Sequence, residues 1–292
     1  MPGPTFDLQS HSVHSDGNHL AAEVVGYARE AGVEVLALSD HDTVDGVEEA
    51  LDTGERLGVT VVPATEISAV EGPHEDLHVL GYGIDHTDTT LAERLLDARE
   101  DRVRRAGRMR ERLEELGYAI DPAPLEARRA AGKPIGRPHL TAAVLQHPDN
   151  ARRLADEGYD DVSSFLPDYL IQGKPAYVAR THPTVGEAIA WIHEAGGFAV
   201  WAHPFWDVDA AAEVLDAIDR FAEQGLDGVE VFYPTHDAEQ AGLLLERCEE
   251  RDLLATGSSD FHGVEHRLFS RFLAYDLHGL EPRLGSIVPA RA

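Results

Sequence analysis

Side chains of the kinds that hold divalent cations recur along this chain beside short apolar runs. His11 and Asp16 lie in Gln9-Ser10-His11-Ser12-Val13-His14-Ser15-Asp16-Gly17, and His41 lies in Ser39-Asp40-His41-Asp42-Thr43. His203 lies in Ala202-His203-Pro204, Asp260 and His262 in Gly257-Ser258-Ser259-Asp260-Phe261-His262, with Glu66 and His78 between these groups. Imidazole and carboxylate together suit Mn, Fe and Zn and discriminate poorly among them. Cys248 is the one cysteine, so intrachain disulfides and Cys-x-x-Cys zinc sites are excluded and His and carboxylates must hold any metal. An isolated His is usually a core or surface residue, and His19, His86, His147, His193, His266 and His278 are read that way. Joint placement sets the others apart, since most follow the strand-like stretches Val33 to Leu38, Val59 to Val62, Phe198 to Val200 and Leu253 to Leu254. Where parallel strands form a barrel or open sheet, their C-terminal ends converge on one face, and residues distant in sequence meet there. A cluster of this composition is the signature of a multi-metal hydrolase site, in which close cations stabilise both the attacking and the leaving oxygen.

The elements that must position these groups follow a βα rhythm. Phe6 to Leu8 reads as a strand, Ala21 to Ala31 as a helix, Val33 to Leu38 as a strand, Val47 to Leu57 as a helix closed by Gly58, and Val59 to Val62 and Leu77 to Leu80 as strands. Such alternation predicts parallel strands with right-handed crossovers. The rhythm breaks after Gly83-Ile84-Asp85: Thr90 to Leu116 reads as a long helix stopped by Gly117, followed by helices at Pro138 to Leu145 and Ala151 to Glu157. It resumes with a strand at Pro175-Ala176-Tyr177-Val178, a helix from Thr184 to Ala195 that opens on a Thr184/Glu187 capping box, and strands at Phe198 to Val200, Val229 to Phe232 and Leu253 to Ala255. Helices at Ala210 to Gln224 and Ala238 to Arg251 separate the last three strands. The expectation is an α/β fold, a (β/α) barrel in two parts, residues 4–85 and 172–292, with a helical insertion subdomain at 86–171.

The chain has 292 residues and a formal charge of -28, with 53 acidic against 25 basic side chains. Such a surface repels nucleic-acid backbones at long range, so stable duplex binding is not expected; the bland reading is a solubility-tuned surface. No apolar run is long enough to span a bilayer, and Met1-Pro2-Gly3-Pro4-Thr5-Phe6-Asp7 lacks a basic segment followed by an apolar one, so a cytoplasmic protein without membrane partners is expected.

The motifs, with Asp7-Leu8-Gln9-Ser10-His11, Leu77-His78-Val79-Leu80-Gly81-Tyr82, Gly136-Arg137-Pro138-His139 and Gly173-Lys174-Pro175-Ala176-Tyr177-Val178, resemble the PHP (polymerase and histidinol phosphatase) family over nearly the whole chain. They are most similar to its branch of small metal-dependent phosphoesterases, which includes nucleoside 3',5'-bisphosphate phosphatases. The resemblance implies a distorted (β/α)7 barrel and two to three divalent ions, Mn, Zn or Fe. It implies one ion at His11, Glu66 and Asp260, a second at Glu66, His78 and His203, and a third at Asp16, His41 and His262. Gln9 stands where the family has the first His of His-x-His; it is counted as a ligand, though an amide oxygen binds transition metals more weakly than imidazole. The implied activity is hydrolysis of a phosphate monoester by a metal-activated hydroxide, on a small phosphorylated substrate such as a nucleotide, with Asp16, His41 and His262 as catalytic residues. Alternatives are a histidinol-phosphate phosphatase, a short-oligonucleotide 5' exonuclease, or a non-catalytic metal or nucleotide binder. Arg137, His139 and Lys174 are candidates for binding phosphate or for surface salt bridges, and His236 for assisting the leaving group or holding substrate. Tyr177, Phe205 and Trp206 are candidates for stacking on a base or for buried packing.

Overall fold

A computed structural model describes residues 3–130, 135–180 and 182–288. Strands β1 (Phe6–Asp7), β2 (Val35–Leu38), β3 (Thr60–Glu71), β4 (His74–Tyr82), β5 (Phe198–Trp201), β6 (Gly228–Phe232) and β7 (Leu254–Gly257) form one sheet in sequence order. The Leu8 amide donates to the Gly257 carbonyl at 3.3 Å, and Ser10 bridges Phe261 in parallel, so β7 returns to β1 and nearly closes the barrel. This is the distorted seven-stranded α/β barrel that the motifs imply.

Helices α1 (Ala21–Ala31) and α2 (Val47–Leu57) cover the first strands. Val24, Val25 and Ala28 of α1 share one apolar cluster with Leu36 and Leu38 of β2 and Ala50 of α2, the buried stripe that periodicity marks out. Next come α3 (Thr89–Glu115), α4 (Ala123–Ala130), α5 (Arg137–Gln146), α6 (Ala151–Glu157) and α7 (Val162–Tyr169). The second half adds α8 (Val185–Glu194), α9 (Pro204–Asp207), α10 (Ala211–Glu223) and α11 (Ala238–Arg251). At α8 the capping box forms as read: the Glu187 amide donates to Thr184 Oγ1 at 3.2 Å and the Thr184 amide to Glu187 Oε2 at 2.7 Å.

Two expectations need correction. β4 runs antiparallel to both β3 and β5, because Gly72 and Pro73 join β3 and β4 as a tight hairpin, which leaves no room for a crossover helix. Pro175 to Val178 is no strand: the Ala176 amide donates to the Tyr169 carbonyl, the Arg105 guanidinium to the Val178 carbonyl, and Ala176 is buried in the apolar cluster of the helical segment. The chain divides into two compact units, Met1–Leu96 with His182–Ala292, and Asp97–Thr181. The first turns of α3 pack in the barrel unit, where Arg94 pairs with Glu194 at 2.6 Å and lies over Trp191. Within the helical unit, Leu113, Tyr118, Leu140, Val144, Phe165 and Leu170 form a core of their own. Among the described residues no helix is long and apolar enough to cross a membrane.

Candidate metal centre

The loop after β1 is shaped around Asp40. Its Oδ1 accepts from the Ser12 amide at 2.7 Å and from Ser15 Oγ at 2.6 Å, and its Oδ2 accepts from Ser12 Oγ at 2.6 Å. Asp40 therefore organises the segment that carries His11 and Asp16. A Cβ at Gly17 would sit 2.3 Å from the His11 carbonyl oxygen, so glycine lets this segment fold back. Asp42 reaches the β3 strand, where its Oδ1 accepts from the Ser68 amide at 2.9 Å. In the hairpin, Ser68 stands opposite His78, and Glu66 is two residues from Ser68, so period-two alternation turns Glu66 and His78 to one face. His203 follows β5 with φ 30° and Asp260 follows β7 with φ 54°. Left-handed backbone is uncommon outside glycine and gathers at functional sites.

Glu66 is the hub, fully buried. Its Oε2 lies 3.1 Å from His11 Nε2 and 3.6 Å from His41 Nδ1, while its Oε1 lies 2.9 Å from His78 Nδ1 and 3.3 Å from His203 Nε2. His11 Nε2 is also 3.1 Å from Asp260 Oδ1. Asp16 lies 3.7 Å from His11 Nδ1, 3.7 Å from His41 Nε2 and 3.5 Å from His262 Nε2. The eight His, Asp and Glu side chains singled out in sequence thus meet in one cluster, within which His11, Asp16, His41 and His262; His41, Glu66 and His78; and His11, Glu66 and Asp260 form groups close enough to hold an ion, while His203 approaches through Glu66. Ligands about 2.0 to 2.3 Å from an ion stand about 2.8 to 3.8 Å apart, a range that includes the separations seen here. Both ring nitrogens of His11, His41 Nδ1 and Asp260 Oδ1 are buried without a hydrogen-bond partner among the described residues. Buried polar atoms are rarely left so, and cations held by these imidazole and carboxylate donors would satisfy them. The residues fit a divalent centre.

Electrostatics agree. Burial pushes the Glu66 carboxyl up, but His41, His78, His11 and His203 outweigh it and hold the group well below its usual range. Burial likewise opposes, and His41, His262 and His11 overcome, in holding Asp16 low. The His11 and His203 imidazoles lie well above their usual value despite burial, His11 through Asp260 and Glu66 and His203 through Asp207 and Glu66. Carboxylates and imidazoles stand so close in this pocket that protons and cations compete for the same atoms.

Gln9 is placed differently from an oxygen ligand: its Nε2 donates to Glu66 Oε2 at 2.9 Å and its Oε1 accepts from Ser258 Oγ at 3.2 Å. His236 is buried, with Nδ1 3.0 Å from the Val231 carbonyl, and burial lowers its pKa to about 4. The carbonyl can only accept, so Nδ1 carries the proton, and Nε2, without a hydrogen-bond partner among the described residues, offers a lone pair suited to holding a donor. Arg137, His139, Lys174 and Tyr177 belong to the helical unit. Arg137 opens α5, His139 Nδ1 accepts from the Gly136 amide at 3.0 Å, Lys174 Nζ pairs with Asp168 at 3.3 Å, and Tyr177 lies under Arg105. Phe205 meets His236 edge-on at 5.6 Å, and Trp206 is exposed.

Sequence reading missed the supports. Tyr233 donates to Asp260 Oδ2 at 2.8 Å, leaving Oδ1 for the cluster. Buried Glu230 accepts from the His203 amide at 2.9 Å and from Ser258 Oγ at 2.6 Å. Both lie on the run Val229 to Tyr233, where inward-facing polar residues in an otherwise apolar strand were the available signal.

Comparison with known proteins adds an independent line. The chain is 34% identical over 263 residues to a 3',5'-nucleoside bisphosphate phosphatase of Chromobacterium violaceum, covering 88% of this chain and 87% of that one. It is 32% identical to a 5'-3' exoribonuclease of Haemophilus influenzae, covering 88% and 89%, and 33% identical to a phosphoribosyl 1,2-cyclic phosphate 1,2-diphosphodiesterase of Eggerthella lenta, covering 88% and 94%. A Bifidobacterium adolescentis structure, assigned by inference as a metal-dependent phosphoesterase, superposes with a TM-score of 0.69 at 31% identity over 91% of each chain. No family model matches the chain.

Proposed function

The chain belongs to the family of metal-dependent phosphoesterases that contains these relatives, and on that premise we propose that it hydrolyses a nucleotide phosphate monoester, a nucleoside 3',5'-bisphosphate fitting best. We assign it to the PHP family on the motifs through His11 and Asp16, His41, His203, and Asp260 with His262. The observation that carries this reading is Glu66, whose two oxygens face two separate sets of imidazoles. In this reading His11, Glu66 and Asp260 hold one ion, Glu66, His78 and His203 a second, and Asp16, His41 and His262 a third, with Mn, Zn or Fe as the metals.

Bound divalent ions supply Lewis acidity toward phosphoryl oxygens and acidify water near neutral pH. The chain's own residues do the rest. Glu66 and His11 are sealed from solvent, whereas Asp16, His41 and His262 are more exposed, which supports a substrate phosphate entering on that side. Tyr233 fixes the rotation of Asp260, and Asp40 holds the segment that presents Asp16. His236, neutral, accepts a hydrogen bond from a substrate hydroxyl or a water at Nε2. Arg137, His139, Lys174 and Tyr177 are proposed to bind substrate on the strength of their motifs, with Lys174 exchanging Asp168 for phosphate.

The test is Mn-dependent phosphate release from adenosine 3',5'-bisphosphate, a 5'-phosphorylated dinucleotide and histidinol phosphate. Fastest kcat/KM on the bisphosphate supports the reading. Preference for the dinucleotide selects the exoribonuclease activity named for the Haemophilus influenzae relative, and no turnover of any of them selects a binder.

A further inference from the structure

An arc of rings runs along one side of the cluster. His203 lies 5.2 Å from Tyr233, Tyr233 lies 5.9 Å from Phe269, and Phe269 lies 5.6 Å from His262, between ring centroids. Trp206 joins the arc 6.3 Å from Tyr233 and 5.6 Å from Phe269, at interplanar angles of 72° and 60°. Edge-type contacts of this kind hold an indole in place without stacking a ring over its face. Its side chain remains 48% exposed, whereas Trp191 and Trp201 are buried. The Trp206 amide donates to the His203 carbonyl at 2.8 Å, so the indole hangs from the backbone of a residue in the cluster.

We propose that Trp206 is the base platform of this site, its indole stacking on the nucleobase of a substrate whose phosphate lies at the cluster. The inference rests on the nucleotide reading above and adds the residue that recognises the base. Two ring-to-ring steps separate Trp206 from His203 on one side and from His262 on the other, a span that a ribose bridges between phosphate and base. Stacking serves any base, because each has a π face. On a chain of charge -28, an uncharged contact gives affinity that the acidic surface withholds from an anion. Continuity with the cluster favours a base over a second copy of the chain, although Val264 and Leu268 are exposed as well.

The experiment compares wild type, Trp206→Ala and Trp206→Phe on adenosine 3',5'-bisphosphate and on glycerol phosphate, which lacks a base. The expected result is a fall of about tenfold or more in the ratio of the two kcat/KM values for Trp206→Ala, carried by KM for the nucleotide, with most of the ratio restored by Trp206→Phe. Adenosine 5'-monophosphate should also quench the wild-type indole emission and lose that effect in Trp206→Phe, a readout independent of turnover. An unchanged ratio, an absent quench, or a change in oligomeric state without a change in ratio overturns the proposal. If wild type hydrolyses neither ester while the Trp206-dependent quench persists, the phosphoesterase reading fails and the base platform stands.

Discussion

Each oxygen of Glu66 faces its own pair of histidines, and the residues around it serve to keep that division. Tyr233→Phe removes the one hydrogen bond shown on Asp260 Oδ2 and should weaken the most labile ion about tenfold, with the fold intact, in a chelator-competition titration. Equal affinity in the two proteins would show that Asp260 needs no such restraint. Gln9→His places an imidazole where an amide now donates to Glu66, and the same titration should show that ion held more tightly. His236 makes a pH prediction. Burial depresses its pKa from 6.5 to about 4, so the folded state favours the neutral ring and the unfolded chain takes up a proton first as pH falls. Its contribution is present above pH 6.5 and is lost as pH drops toward 4, up to about 3 kcal/mol. Denaturant unfolding of metal-free protein should therefore show a shallower loss of stability across that window for His236→Asn than for wild type. These residues were unevenly legible: the eight clustered His, Asp and Glu residues mostly stand beside apolar runs, whereas Tyr233 and Glu230 matter through partners that only folding supplies.

Elements decide whether those side chains converge. The segment from Gln9 to Gly17 doubles back so tightly that a Cβ at position 17 meets the His11 carbonyl. Gly17→Ala should cost about 1 to 3 kcal/mol and displace Asp16, read as a lower melting temperature together with loss of one bound ion per chain. A stable variant with full metal content would show that the segment yields without consequence. Helices α1, α2, α6 and α11 begin and end where the sequence pattern places them, because their signals are local. β4 was legible as a strand and not in its direction, since direction depends on the connection through Gly72 and Pro73. Pro175 to Val178 misled because an apolar, β-branched stretch can serve a helical core as well as a sheet. α4 and α7 escaped notice as short helices, α7 holding Pro167 inside it.

At the scale of the whole molecule, a chain of net charge -28 gathers three carboxylates and five histidines at one end of a nearly closed barrel. Burying so many ionisable groups together is costly unless protons or cations neutralise them, which couples metal binding to folding. The barrel, and the convergence of these His, Asp and Glu side chains, were legible because strand ends in this architecture share a face. The extent of the helical segment carries no sharp signal, because α3 continues across residues 96 and 97 without a break in its helical pattern. The most direct test is the divalent-ion content per chain of wild type and Glu66→Ala, measured by elemental analysis after reconstitution with Mn or Zn and desalting. Two or more ions in wild type, with the variant losing at least two together, is the result expected of a carboxylate shared between sites. Fewer than two ions in wild type, or an unchanged content in the variant, would contradict it.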